Sequence, residues 1–410
     1  MARIKTDHTK TDIRRRNREH ARRLLEIGLV STKLGLTSFG GPIAHLGYFY
    51  EEYVRRRKWL DEQTYADLVA LCQFLPGPAS SQVGIGIGVM RAGIWGGIVS
   101  FIGFTLPSVI ALMSFAFIVQ QFAIGETGWL HGLKIVAVVI VTHAILGMAQ
   151  KLTPDLKRKA IALLALVGTL LWQTAYTQIG MILVAGWIGY LMYKHDEPDH
   201  HASFSVPVSR RIGAICLIVF GALLVILPVI RELTSLRWVA MIDSFYRAGS
   251  LVFGGGHVVL PLLERQFVPA GWLDPQSFLA GYGAAQAVPG PLFTFAAYLG
   301  TMMDGWLGGL VATIAIFLPA FLLVLGALPF WDTLRRNAAI KGAFTGVNAA
   351  VVGILIAALY DPIWTSSIAV PSDFAFAAIL FSMLVYWKLP PWVIVWTGAL
   401  GGILLSSLSL

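Results

Sequence analysis

The sequence predicts an all-α polytopic membrane protein. It is expected to contain two inverted-topology repeats of about six apolar segments each, joined by one extra transmembrane helix. Three observations lead there. Hydrophobic residues are 56% of the 410, charged residues only 13%, and mean hydropathy is +0.71, too little polar material to cover a soluble surface. Apolar stretches close to bilayer length recur along the chain. Finally, one passage occurs twice: WLDEQTYADLVALCQFLPGP from Trp59 to Pro78 returns 213 positions later as WLDPQSFLAGYGAAQAVPGP from Trp272 to Pro291. Trp59, Leu60, Asp61, Gln63, Gln73, Pro76, Gly77 and Pro78 all have identical counterparts there, and such self-similarity marks an internal duplication.

The first residues, Lys5 to Arg23, form a polar, Arg-rich head without the apolar core of a signal peptide. Placed before the first span, it reads as a cytoplasmic anchor rather than a nucleic-acid arm. The domain organisation follows: a basic segment 1–23, a first repeat 24–194, a linker with the bridging helix 195–238, and a second repeat 239–410. In the first repeat, Leu24 to Gly41 ends in FGGP, a charged loop covers Glu51 to Gln63, and Thr64 to Met90 is interrupted by Pro76-Gly77-Pro78. Ala92 to Gln121, Gly132 to Gln150, Ala160 to Thr174 and Gln178 to Tyr193 complete it. Ile212 to Ile230 bridges to the second repeat, where FGGG (Phe253 to Gly256) and Pro289-Gly290-Pro291 mark the same places.

Counting the bridge, equivalent segments lie seven apart, an odd number, so the halves face opposite ways. The Lys/Arg bias agrees with an inside N-terminus: Lys151 to Lys159, Lys194 to Arg211 and Arg335, Arg336 and Lys341 fall inside, and the acidic stretch Asp361 to Asp373 falls outside. Arg231 and Arg237 run against the trend. The basic run Arg55 to Lys58 is awkward for a simple crossing and fits better if the first two segments of each half are re-entrant or broken, entering and leaving by one face; the sequence leaves open whether they span or re-enter.

Proline and glycine inside a membrane helix free backbone groups, tolerated at depth only when buried in protein or lining a watery cavity. Proline also favours the first position of a helix, so Pro42, Pro78 and Pro291 are expected to start half-helices. Their N-termini carry partial positive charge and suit oxyanions. Duplicated broken segments in inverted halves point to a transporter's binding site. The candidate substrate-binding residues are therefore Gly40, Gly41, Pro42, Gln73, Pro76, Gly77, Pro78, Ser80 and Ser81, with Gly254, Gly255, Gly256, Gln286, Pro289, Gly290, Pro291 and Thr294 in the second half. Close helix packing is the competing role for these glycines, and the preferred one for the run Gly84-Ile85-Gly86-Ile87-Gly88. The two glutamines could instead hold the breaks together.

Lys33 and Arg247 lie six residues before Phe39 and Phe253, placing a cation at equal depth twice. Buried charge is costly, so both should face the interior, as an anion clamp or as structural ion pairs with Glu26 and Asp243. Glu51 and Glu264, again duplicated, and Asp67, which is not, are candidate ion-coupling carboxylates. The cluster His195 to His201 reads as a solvated linker and not a metal site, His143 as packing, and Cys72 and Cys216 as small apolar residues. No nucleotide-binding or catalytic motif is present, so no metal, cofactor or enzymatic activity is expected.

LGLTSFGGPIAHL (Leu34 to Leu46), QFLPGP (Gln73 to Pro78), LVFGGGHVVLP (Leu251 to Pro261), QAVPGP (Gln286 to Pro291) and FLPAFLLV (Phe317 to Val324) resemble the chromate transporter family in its long, two-domain form. The resemblance implies gradient-driven efflux of chromate across a bacterial inner membrane, with sulfate as the natural competitor. Membrane lipid and a second copy of the chain are the further partners it allows, and nucleic acid is not among them.

Overall fold

The computed structural model of the protein describes residues 2–39, 41–121, 128–172, 177–193, 207–234, 236–252, 259–331 and 337–408. Gly40, Gly254, Gly255 and Gly256, with the linker histidines, lie outside the described residues. Among the described residues the structure is helical. In the first half it runs α1 (Ala2–Thr37), α2 (Gly41–Phe49), α3 (Glu62–Phe74), α4 (Ala79–Gln121), α5 (Gly128–Leu152), α6 (Leu156–Leu171) and α7 (Thr177–Tyr193). The bridge is α8 (Arg210–Leu233). The second half follows with α9 (Arg237–Leu251), α10 (Val259–Phe267), α11 (Pro275–Ala287), α12 (Phe295–Ala327), α13 (Ala338–Ala358), α14 (Pro371–Val385) and α15 (Pro391–Leu408). Among the described residues, five helical stretches are long and apolar enough to cross a membrane. Helix α8 leaves Ile215, Ile218 and Val225 exposed, as a lipid-facing helix would. This is a multi-pass membrane protein.

The duplicated breaks are reversals. Helix α1 stops at Thr37 and the chain returns along it through α2, so that Arg57 reaches Glu26 at 3.0 Å and Lys33 reaches Glu52 at 3.0 Å. Helix α3 runs to Phe74, turns through Pro76-Gly77-Pro78, and comes back as the first limb of α4, whose Gly86 lies against Leu68. In the second half, Phe245 of α9 meets Phe267 of α10 with ring centroids 4.9 Å apart. The hydroxyl of Tyr298 in α12 donates to Ser277 O at the start of α11 (2.8 Å). Four helical hairpins result, two per half.

Helices α4 and α12 then fold a second time. Ala92 and Gly93 leave helical geometry with Gly93 at φ 68°, ψ −162°, and Asp304 and Gly305 repeat the kink with Gly305 at φ 61°, ψ −156°. Only glycine adopts that region readily. The limbs 79–91 and 94–121 therefore lie back to back, as do 295–303 and 306–327. At Gly88 and Gly96, and again at Gly300 and Gly308, a Cβ would sit 2.1 or 2.2 Å from the facing carbonyl oxygen. The Gly84 to Gly88 run thus serves packing, as expected.

Two details depart from the sequence reading. The stretch expected as a charged loop is helical as far as Arg56, because Glu52, Tyr53 and Val54 face inward while Arg55 and Arg56 pair with Glu51 and Glu52 one turn back. In the second half Pro291 begins a 3₁₀ turn, Leu292–Thr294, before α12 starts.

The halves are interleaved. Helix α13 packs against α7 and α6 of the first half, and its counterpart α5 packs against α15 and α14 of the second. The backbones approach where Gly189 meets Gly342 and where Gly132 meets Gly398. Each half completes the core of the other.

Candidate anion site at the hairpin tips

Each Pro-Gly-Pro turn is bonded to the residue that precedes the opposite half's glycine break, so the halves meet crosswise. The amide of Gly77, in the first half, donates to the carbonyl of Val252, just before the glycine break of the second half, at 2.6 Å. The amide of Gly290, in the second half, donates to the carbonyl of Ser38, just before the glycine break of the first, at 2.9 Å. The two bonds are related by the duplication, since Ser38 and Val252, like Gly77 and Gly290, are counterparts. Positive φ at both glycines, 113° and 107°, turns each amide outward from its loop, a conformation side chains resist. Gln82 Nε2 donates to Pro76 O at 2.8 Å, so a side chain re-satisfies backbone freed by the turn. Thr294 does the same in the second half, its hydroxyl donating to Pro291 O at 2.7 Å.

The polar groups at this junction are uncharged. Ser38, Ser80, Ser81, Thr105, Ser108 and His45 are each at most 2% exposed. Among the described residues, the Ser38, Ser81 and Thr105 hydroxyls and His45 Nε2 have no hydrogen-bond partner. His45 Nδ1 lies 3.3 Å from the Ser80 hydroxyl, in the first turn of α4, and its ring meets Phe104 edge-on at 5.4 Å. Buried polar atoms normally find partners, so several unfulfilled ones at one helix N-terminus mark a place prepared for a polar guest.

The sequence-predicted residues fare differently. Pro76, Gly77, Pro78, Ser80, Ser81, Pro291 and Thr294 are buried at the junction, while Pro289 and Gly290 are half-buried and Gly41 and Pro42 open α2. Gln73 is exposed; Gln286 is half-buried, with Nε2 unpaired. Lys33 and Arg247 are both engaged in ion pairs. Lys33 bonds Glu52, not Glu26, which instead binds Arg57 and Arg91. Arg247 bonds Asp243 on the preceding turn, as does Arg231 at 3.1 Å. Glu51 is exposed beside Arg55, Glu264 is 5% exposed, and Asp67 is 7% exposed. Sequence reasoning passed over His45, Ser38 and Thr105. A lone histidine three residues after the FGGP break was the available signal, but only packing shows that it turns toward Ser80.

The halves are not in the same state. Helix α11 lies packed on α5 and α15, with Leu279 fully buried and Gly283 against Leu133. The matching face of α3, made of Ala66, Ala70 and Gln73, is exposed, and Phe74 at its end meets Phe344 and Trp331. Beside this opening, a recess of about 1000 Å³ is bordered by Arg23, Arg55, Lys58 and Arg91, with Asp61 and Trp59. It lies at the open ends of the hairpins rather than at their tips.

The family profile described as "Chromate transporter" matches residues 25–190 and again 238–403. The chain belongs to the chromate transporter family. Among its relatives, an uncharacterised transporter of Methanocaldococcus jannaschii is 26% identical over 81% of this chain and 83% of its own. A chromate transport protein of Pseudomonas aeruginosa is 25% identical over 83% and 81%, and one of Cupriavidus metallidurans 26% over 93% and 92%. No solved structure matches. The doubled match to the chromate transporter profile falls on the two interleaved halves, leaving the basic head and α8 between and before them.

Proposed function

We propose that this chromate transporter family member is a secondary transporter that exports chromate, a tetrahedral dianion, from the cytoplasm across the inner membrane. The substrate sits where the hairpin tips cross. The observation that carries the reading is the pair of duplicated amide bonds, Gly77 to Val252 and Gly290 to Ser38, which tie each half's Pro-Gly-Pro turn to the chain just before the other half's glycine break. Helix N-termini, free hydroxyls and backbone amides are the donors an oxyanion requires. Lys33 and Arg247 are already neutralised by Glu52 and Asp243, so they brace the hairpin flanks and the neutral donors do the recognising.

In this reading the first two hairpins re-enter from the cytoplasmic face and the second two from the outer face. Nine crossings remain: limb 94–121, α5, α6, α7, α8, limb 306–327, α13, α14 and α15. That arrangement puts Arg55 to Lys58, Arg91, Lys151, Lys157, Arg158, Lys159, Arg210, Arg211, Lys341 and Lys388 on one side. Asp274, Asp304, Asp361 and Asp373 fall on the other, as the positive-inside bias favours. The basic run that resisted a simple crossing is thereby accommodated, and the N-terminus is cytoplasmic. The exposed face of α3 then forms a path from the cytoplasm to the tips, closed on the outer side by α11.

The test is labelled-chromate flux in liposomes holding the purified protein, under imposed proton and electrical gradients, with sulfate as competitor. Gradient-dependent chromate movement, inhibited by sulfate only at excess, is expected. Equal preference for sulfate would make this a general oxyanion carrier, and no flux under any gradient would refute transport.

A further inference from the structure

Among the described residues, the junction that receives a dianion in the proposed mechanism holds a titratable imidazole, His45, and that residue deepens the reading. His45 is 1% exposed and projects from α2 between two other elements: the first turn of α4, through Ser80, and limb 94–121, through Phe104. Ser38, whose carbonyl receives the Gly290 amide of the opposite half, is its other neighbour. His45 therefore touches both tips of the first half and stands one bond from the second.

The charges nearby are spoken for. On α1, Lys33 faces Glu52; on the helical turn after α2, Glu51 and Glu52 face Arg55, Arg56 and Arg57. On α9, packed against limb 306–327, Asp243 faces Arg231 and Arg247. On α3, beside α2, Asp67 is 7% exposed; among the described residues none of these charged groups acts on the imidazole. A cationic imidazole without a counter-ion is expensive to bury, so until an anion arrives His45 is held neutral, with Nδ1 toward Ser80 and Nε2 without a hydrogen-bond partner among the described residues. As a bare lone pair, Nε2 repels an anion; carrying a proton, it donates to one and removes one of its two negative charges.

We propose that His45 takes up a proton when the oxyanion binds, so that the dianion is carried together with one proton and the site discriminates in favour of a doubly charged guest. The proton is added to Nε2 from water as the anion enters and returns to water when it leaves; no covalent bond is exchanged. By linkage, whatever the anion does for proton affinity the proton does for anion affinity. One proton taken up per anion makes the dissociation constant fall about tenfold per unit decrease in pH.

This inference rests on the transport reading, and the experiment separates the two. Chromate binding to the full-length protein in lipid nanodiscs is measured by calorimetry in two buffers of different ionisation heat, in the alkaline range where chromate is fully dianionic. Wild type should bind with uptake of about one proton per chromate and a pH slope near one. His45→Gln should bind more weakly, without proton uptake and without a slope. Glu264→Gln, which alters another buried carboxylate, should keep both. Absence of chromate binding by wild type would overturn the transport reading itself. Binding without proton uptake would overturn only the role of His45, whether or not the variant folds. Uptake that persists in His45→Gln, or disappears in Glu264→Gln, would equally overturn it.

Discussion

Substituting Gly290 by alanine tests the crossed tips directly. Gly290 sits at φ 107°, and a Cβ there would lie 2.8 Å from Ser108 Oγ and 3.3 Å from Ser108 Cβ. Backbone strain of this kind costs about 1–3 kcal/mol. If the loop shifts to relieve it, the bond from Gly290 to Ser38 goes too, at about 0.5–1.5 kcal/mol. The total, about 2–4 kcal/mol, corresponds to a roughly 30- to 1,000-fold fall in the population with joined tips. Gly77→Ala is strained alike, but its Cβ would lie 3.1 Å from Gln82 Nε2 and an ordinary 3.5 Å from Gly249 O, so it should lose less. Chromate counterflow in liposomes measures the effect, with thermal melting to confirm folding. Adding Ser108→Ala to Gly290→Ala should restore part of the rate, since the closest clashing atom is gone. Gly271→Ala, at φ 70° with nothing within 4 Å, should cost about 1 kcal/mol of stability and leave counterflow intact. A folded Gly290→Ala protein exchanging chromate at the wild-type rate would refute the site.

Other consequences are equally accessible. Gly88→Val should abolish correctly folded protein, because the limbs of α4 touch there backbone to backbone; recovery from detergent by size exclusion reads this. Lys33→Ala should lower stability by about 1 kcal/mol and keep counterflow, because Arg57 still holds Glu52 at 2.8 Å. Complete loss of chromate binding in a folded Lys33→Ala protein would restore the lysine as an anion clamp. Asp61→Ala and Asp274→Ala should each cost about 1 kcal/mol, since both carboxylates cap their helices, through Thr64 N and Ser277 N at 2.8 Å. The Thr64 bonds hold the Asp61 carboxyl below its usual range. Its contribution is therefore intact above the unfolded pKa of about 3.9 and is lost as pH falls through the lower folded value, so the Asp61→Ala deficit in melting temperature should vanish in strong acid.

Much of the fold could be read from the chain because its signals are local. Composition fixes the solvent, as too few polar residues exist to face water everywhere. The repeat of Trp59 to Pro78 at Trp272 to Pro291 fixes the duplication, and glycine and proline reveal the breaks since no other residues tolerate those turns. The site was legible only in part. Pro76-Gly77-Pro78 and Pro289-Gly290-Pro291 stood out, whereas the partners of Lys33 and the role of His45 did not. Glu52 lies nineteen residues beyond Lys33, and no periodicity relates residues on opposite arms of a hairpin.

By itself the sequence determined that this protein lives in a membrane, that its halves are copies, and where each copy must bend. Tertiary structure alone decided that the bends are reversals, that they cross between halves, and that one half is docked while the other stands open. The reason is physical. Local sterics set where a backbone turns, but which amide then meets which carbonyl depends on segments 175 and 252 residues apart (252 − 77 and 290 − 38), brought together by interleaved helix packing.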